Sequence, residues 1–397
     1  MNGHSANTGP AERSLTYSAY LLSLSAPVSI VLAQAAAGLV ILSGLACLMT
    51  GSKAATMPVW VRAIMPAFLA TVILSSILSP DFSSAVSSLK KIWVLLCLIP
   101  LVAFSHVYSK RNLAGLLILG TSIASILGLY RYVTGAVERA APFSGGYTTL
   151  ALFEAAVLPL AIGLFAADRS IKRWLYAIAV PIMAAGLLFS GTRAGWISAV
   201  AGIIIIGFFL NRKITLIALF GACLCIAAIP RSRNLVIDRF RSDRQGGITS
   251  GRTILYRTAL DSISDLPFWG YGPGSFKRIV PDEVLDRIGD KGIKSWHSTP
   301  LEILIESGPM AALLLLAFFV FPLTRFRRYW EKADSADLIG IASLCALVAL
   351  YLAGLTTDLM RDFMVLSLLA VIWSMSISRR PDSAVAGNKS GISLLSF

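Results

Sequence analysis

Apolar runs of about 17–25 residues follow one another through this chain, and one polar segment of nearly seventy residues, Arg231 to Ser298, interrupts them. A run of that length crosses a bilayer core of roughly 30 Å as a helix, because each residue advances the helix by about 1.5 Å. Lipid offers the backbone no hydrogen-bond partners, so only helices and closed barrels can span it. Continuous apolar runs of this length, without strict alternation, select the helix. The chain is 56% hydrophobic and 14% charged, whereas a soluble domain carries roughly 25% charged residues. It therefore reads as an all-α polytopic membrane protein.

The runs predict about twelve spans: 17–32, 33–50, 60–79, 90–106, 112–131, 148–167, 173–190, 192–211, 213–230, 299–323, 336–356 and 361–377. The first two form one continuous stretch in which Pro27 marks a kink, and a single long helix is the alternative there. With twelve spans and the N-terminus inside, seventeen basic residues fall on the inner side, among them Arg13, Lys53, Lys110, Arg111, Arg169, Lys172 and Arg325. The short outer turns hold six: Lys90, Lys91, Arg131, Arg139, Arg193 and Arg361. This positive-inside bias favours that topology, and long loops are exempt from it. The chain thus divides into an inner tail (1–16), nine spans (17–230), a large outer loop (231–298), three spans (299–377) and a second inner tail (378–397). The polar start has no basic region before a short apolar core and reads as a tail, not a cleaved signal.

The net charge of +14 is mostly this topology. Its basic residues are dispersed among turns and form no continuous stripe, which argues against nucleic acid as a partner. All five cysteines (Cys47, Cys97, Cys223, Cys225, Cys345) lie in apolar spans and read as small buried hydrophobes. No Asp-x-Asp, paired outer carboxylates or His/Cys cluster appears, so the sequence offers no metal site and calls for no cofactor.

The polar segment carries twelve of the thirty-five Lys and Arg residues. Thr249 or Ser250 can cap a short helix from about Gly251, with Leu255, Ala259, Leu260 and Ile263 as its apolar stripe. Arg252 is then exposed in the first turn, and Arg257 falls on another face. A Pro- and Gly-rich turn (266–276) and a second short helix (281–288) follow. Within the turn, GYGPGS (270–275) follows no strand, so it reads as a tight turn or as a cradle of N–H groups for a phosphate. His297 precedes a span whose Thr299 and Glu302 match a capping box, with Pro300 at the first helical position. It is one of three histidines, and imidazole is the natural general base near neutral pH. Arg193 stands between two spans joined almost without a turn, where it either snorkels to water or binds an anion. Glu154 lies within a span, where an ionisable group faces a cavity or a partner. Asp358 and Arg361 read as a pair in the last outer turn.

In order, SGTRAGW (190–196), SGRTILYRTAL with PFWGYGPGSF (250–276) and WHSTPLEILIESG (296–308) resemble the signatures of the O-antigen ligase/polymerase superfamily. The resemblance covers roughly residues 140–320. It departs from many relatives at Ser298, where they carry Asn, and at 146–148, where they carry an Asn-rich helix start. It implies a membrane glycosyltransferase of the GT-C type with about twelve spans, in the inner membrane of a Gram-negative bacterium, acting without metal at the periplasmic face. The implied donor is a glycan on undecaprenyl diphosphate, and the ligase's acceptor is the lipid A–core oligosaccharide. The resemblance assigns catalytic roles to Arg193, Arg252 and His297, with Arg257 competing for the second arginine. Tyr271, Lys277 and Glu154 are further candidates for substrate contact. An O-antigen polymerase and a protein O-oligosaccharyltransferase are the rivals within the superfamily. A small-anion secondary transporter is the rival outside it, and would require inverted repeats and broken helices at the midplane.

Overall fold

A computed structural model of the chain describes residues 9–55, 57–210, 233–234, 237–238, 249–288, 293–326 and 338–377. The expected span 213–230, with Cys223 and Cys225, lies outside the described residues. So do most of the basic stretch 231–248, the second tail and the inner basic residues Arg212, Lys213, Arg327, Arg328, Lys332, Arg379, Arg380 and Lys389.

The described residues form helices and no strand. In chain order these are α1 (Pro10–Ser25), α2 (Ile30–Met49), α3 (Trp60–Ile77), α4 (Phe82–Ala103), α5 (Lys110–Val133), α6 (Tyr147–Ala167), α7 (Arg173–Ser190) and α8 (Arg193–Leu210). The large loop contributes α9 (Thr249–Asp261), α10 (Phe276–Ile279) and α11 (Asp282–Ile288). Then come α12 (Thr299–Leu323), α13 (Leu338–Gly354) and α14 (Phe363–Ile377). Eight of these, α2 to α8 and α12, are long and apolar enough to cross a membrane, while α13 and α14 are shorter apolar helices.

The first apolar stretch is two helices that pack on each other, not one long one. The break falls at 26–29, ahead of the boundary expected at 32–33. Ser29 fixes it, because its Oγ accepts the Leu32 N–H and caps α2. The other boundaries follow local chemistry in the same way: Asp81 caps α4 through the Ser84 N–H (3.0 Å), and Ser109 caps α5.

Bundle order follows from side-chain size. Lipid is as apolar as leucine, so packing rewards small residues that let helices approach closely. Gly163 of α6 faces Ala342 of α13, and Gly202 of α8 faces Pro159 and Ala349. Helix α6 packs on α7, α8 and α13, and every residue of α14 is buried. These two helices form the centre, and both present their N-terminal ends to one side of the bundle.

The loop has a small core of its own. Leu255, Ala259, Phe276, Val280, Leu285 and Trp296 are buried together against Ile305 of α12. Trp296 is fully buried and meets Phe276 edge-on, with centroids 5.0 Å apart. Leu260, expected on the buried stripe, is instead 61% exposed.

The loop is joined to α12 by backbone chemistry. α12 is broken at Gly308 (φ 83°, ψ 171°), followed by Pro309. That conformation is open essentially only to glycine. Carbonyls freed at the break accept N–H groups from the loop: Tyr271 donates to Ile305 and Gly272 to Glu306, each at 2.9 Å. Ser75 Oγ of α3 donates to the same Glu306 carbonyl at 2.9 Å. The Gly274 N–H binds the Glu306 carboxylate at 2.8 Å. These donors are therefore committed to α12, and the phosphate-cradle reading of GYGPGS gives way to a docking turn. Gly270, Gly272 and Gly274 all have positive φ, which lets the chain lie flat against the helix break.

Candidate active site

The turns that charge assigns to the outer side converge on one cavity of about 930 Å³. Its walls come from the start of α2 (Ile30, Gln34), the first part of α4 (Ser87, Lys90, Lys91), the 139–152 segment and the α7–α8 junction (191–194). The large loop adds Arg252, Leu255, 293–295 and His297, and the α13–α14 turn adds Thr357, Asp358, Arg361 and Asp362. Arg193, Arg252 and His297, far apart in sequence, thus line a single space.

Each is held for a local reason. The short α7–α8 junction turns at Gly191, whose φ is 65°, and Arg193 begins α8. Arg252 stands in the first turn of α9, and Leu255 and Ala259 anchor that helix in the loop core. One turn after Arg252, the Tyr256 hydroxyl donates to the His297 carbonyl at 3.3 Å, which ties the arginine's helix to the histidine. Burial raises the Tyr256 phenol above its ordinary pKa, so it stays a neutral donor.

His297 is the single non-glycine residue with positive φ (51°) among the described residues. Its neighbours explain this. On one side Trp296 is sunk in the loop core, and its N–H is held by Glu302 Oε2 at 3.0 Å. On the other, Thr299 is locked to the α13–α14 turn: its Oγ donates to the Thr357 carbonyl and accepts the Leu359 N–H, each at 2.9 Å. A chain pinned at both ends turns through the left-handed region, which costs about 1–2 kcal/mol. Backbone strain of this kind clusters at active sites. The expected capping box is not formed: α12 starts at Thr299, Ser298 makes no side-chain cap, and Glu302 turns to Trp296.

Electrostatics divides the cavity. Arg193 feels the positive charges of Arg252 and Arg139. Arg139 also stacks over Tyr147 with its guanidinium 4.3 Å from the ring centroid. All three line the cavity, and like charges in one cavity repel one another less when an anion lies among them. Opposite in character is Arg361. It binds Glu302, Glu306 (2.5 Å) and Asp358 (3.2 Å), and donates to the Lys294 carbonyl. The expected Asp358–Arg361 pair exists, but as one arm of this hub. Burial pushes the Asp358 carboxyl up, although Arg361 pulls it down. Asp362 accepts the Thr149 hydroxyl at 2.5 Å and joins α14 to the start of α6.

The structure does not bring the remaining candidates to the cavity. Arg257 is exposed on another face of α9, and Lys277 is exposed on α10. Tyr271 gives its hydroxyl to the Ser262 and Asp265 carbonyls (3.2 and 3.1 Å) and so closes the turn. Glu154 is buried within α6 with its partner Ser125 at 2.7 Å. Conversely, Lys90, Lys91, Arg139, Tyr256 and Lys294 were not singled out as site residues. A signal for three of them existed. Of the six basic residues that break the positive-inside bias, five (Lys90, Lys91, Arg139, Arg193, Arg361) line the cavity. The sixth, Arg131, donates to the Ala141 and Pro142 carbonyls and so braces the segment that carries Arg139.

Residues 178–316 match the family model described as O-antigen ligase. The matched region takes in Arg193, Arg252, His297 and the docking turn, and leaves out Lys90, Lys91, Arg139 and Arg361. No curated protein matches the chain.

Proposed function

We propose, from the match of residues 178–316 to the O-antigen ligase family model, that the protein is a lipopolysaccharide O-antigen ligase. It transfers a glycan from undecaprenyl diphosphate to the lipid A–core oligosaccharide at the periplasmic face of the inner membrane. The observation that carries the reading is the convergence of Arg193, Arg252 and His297, from three separate elements, on one cavity.

The reaction is an in-line displacement at the anomeric carbon. An acceptor hydroxyl oxygen forms the new glycosidic bond while the bond from that carbon to the diphosphate oxygen breaks. The acceptor proton passes to His297, and undecaprenyl diphosphate leaves as the anion. Since the leaving group is already good, the protein's work is to position both substrates and to stabilise growing negative charge. Arg193 and Arg252, with Arg139 beside them, clamp the diphosphate through bidentate charge-assisted bonds. This replaces the metal that many sugar transferases use. The carboxylates Glu302, Glu306 and Asp358 are committed to Arg361 and to loop N–H groups. Attack by the acceptor on the face opposite the diphosphate inverts the anomeric centre.

Deleting the gene and separating lipopolysaccharide on a gel tests the reading. A ligase deletion leaves lipid A–core alone while lipid-linked polymer accumulates. Core bearing a single repeat would identify a polymerase instead. Normal lipopolysaccharide with underglycosylated envelope protein would identify a protein O-oligosaccharyltransferase.

A further inference from the structure

Among the described residues of the large loop, two large hydrophobic side chains are exposed: Leu260 at 61% and Phe268 at 56%. Both flank one turn, closed by the Tyr271 hydroxyl on the Ser262 and Asp265 carbonyls. Trp269, half-buried, meets Phe268 edge-on at 4.8 Å between centroids. Together with Trp269 they make one apolar patch, the kind of surface that marks a contact, and the backbone gives the level at which it lies.

The Phe268 carbonyl abuts Gly308 of α12, and Tyr271 and Gly272 bond to Ile305 and Glu306. Gly308 lies about 13–14 Å along the helix from Thr299. The Ser75 bond to the Glu306 carbonyl sets the last turn of α3, an apolar span, at the same level. Next to it Gly272 packs against Ser79. There Ile77, Leu78 and Phe82 are exposed too. Non-helical backbone is tolerated at such depth only where protein satisfies it. Here the Gly270, Tyr271, Gly272 and Gly274 N–H groups all have partners.

We propose that the Leu260–Trp269 turn is a membrane anchor: Leu260, Phe268 and Trp269 insert into the outer leaflet beside Ile77, Leu78 and Phe82. Aromatic rings favour this interfacial zone, where one side is apolar and the other wet. The exposed carboxylates Asp261 and Asp265 hold the turn at headgroup level. The anchor has a consequence for the site. Helix α9 runs from Arg252 at the cavity to Leu260 at the turn, so the bilayer fixes the far end of the helix that presents this arginine. The inference is independent of the reaction assigned to the cavity.

The test uses the full chain in vesicles, with the native cysteines replaced and an environment-sensitive fluorophore at Phe268→Cys. Leu260→Cys is a second reporter, and Glu283→Cys, at an exposed position of α11, is the aqueous control. Blue-shifted emission at 268 and 260, quenched several-fold more by headgroup-proximal spin-labelled lipid than by aqueous iodide, is expected. The label at 283 is expected to show the reverse. Iodide quenching at 268 and 260 equal to that at 283 would overturn the anchor. Shielding from both quenchers would overturn it as well, since protein would then be the occupant.

Discussion

At the residue scale, His297 combines two properties that a substitution can separate: an imidazole on a residue that lines the cavity and a backbone in the left-handed region. If His297 is the proposed general base, His297→Ala is expected to lower the rate of the proposed glycan transfer by roughly 10²–10⁴-fold, the usual worth of general-base help. Donor binding, measured on the purified protein with the lipid diphosphate, is expected to stay within about twofold. His297→Gly is expected to be equally inactive yet to unfold at a higher temperature than His297→Ala, because glycine removes a strain of about 1–2 kcal/mol. Equal stability of the two variants would mean that the backbone at 297 relaxes freely. Arg193→Ala and Arg252→Ala address the clamp. Each is expected to weaken binding of the lipid diphosphate by about 1.5–3 kcal/mol, the worth of a hydrogen bond to a charged group. Normal binding by both variants would remove the clamp from the mechanism.

The element scale is governed by α12, which is both a span and the loop's mooring. Gly308→Ala would force a side chain into a glycine-only conformation and against the Phe268 carbonyl. The expected cost is about 1–3 kcal/mol, visible as faster proteolysis within 249–288 while the spans stay protected. Arg361 is the second fastener, since it binds carboxylates at 302, 306 and 358 and the Lys294 carbonyl. Its replacement by Met leaves three buried carboxylates without their shared cation, a loss of roughly 3–5 kcal/mol. Thermal unfolding in detergent measures it. Glu302→Gln, whose amide oxygen can still accept the Trp296 N–H, is expected to cost less than Glu302→Ala. Equal costs would show that charge alone, and not the Trp296 bond, is what Glu302 contributes.

For the whole molecule, the arrangement is a bundle whose turns on one side pool their side chains into one basic chamber. Cations from α4, the 139–152 segment, the α7–α8 junction and the large loop meet there. If these arginines carry the charge of the leaving group, chelation with EDTA is expected to leave the proposed transfer rate of the purified protein unchanged within about twofold. A rate restored only by an added divalent cation would reassign that role. The positive-inside argument explains why such a chamber leaves a mark in the sequence at all. Basic residues on the translocated side oppose the topological bias, so those that persist have other work. Five of six such residues line the cavity, and the sixth braces it.

The helical membrane class was legible in the sequence, because lipid leaves the backbone so few choices that apolar run length alone selects the helix. Most helix positions follow from the same runs, and the loop's short helices lie near their expected positions, although α9 begins at Thr249 and takes in both residues expected to cap it. Arg193, Arg252 and His297 were visible as residues through their motifs. Their meeting in one cavity was not, nor were the broken α12, the Arg361 hub, the left-handed His297 and the exposure of Leu260. All of these depend on contacts between segments distant in the chain, such as Gly272 with Glu306 and Arg361 with Glu302. Local sequence determines where most helices run; which partner completes each buried donor and charge, and the special backbone at His297 and Gly308 that goes with it, is decided only when the segments are packed together.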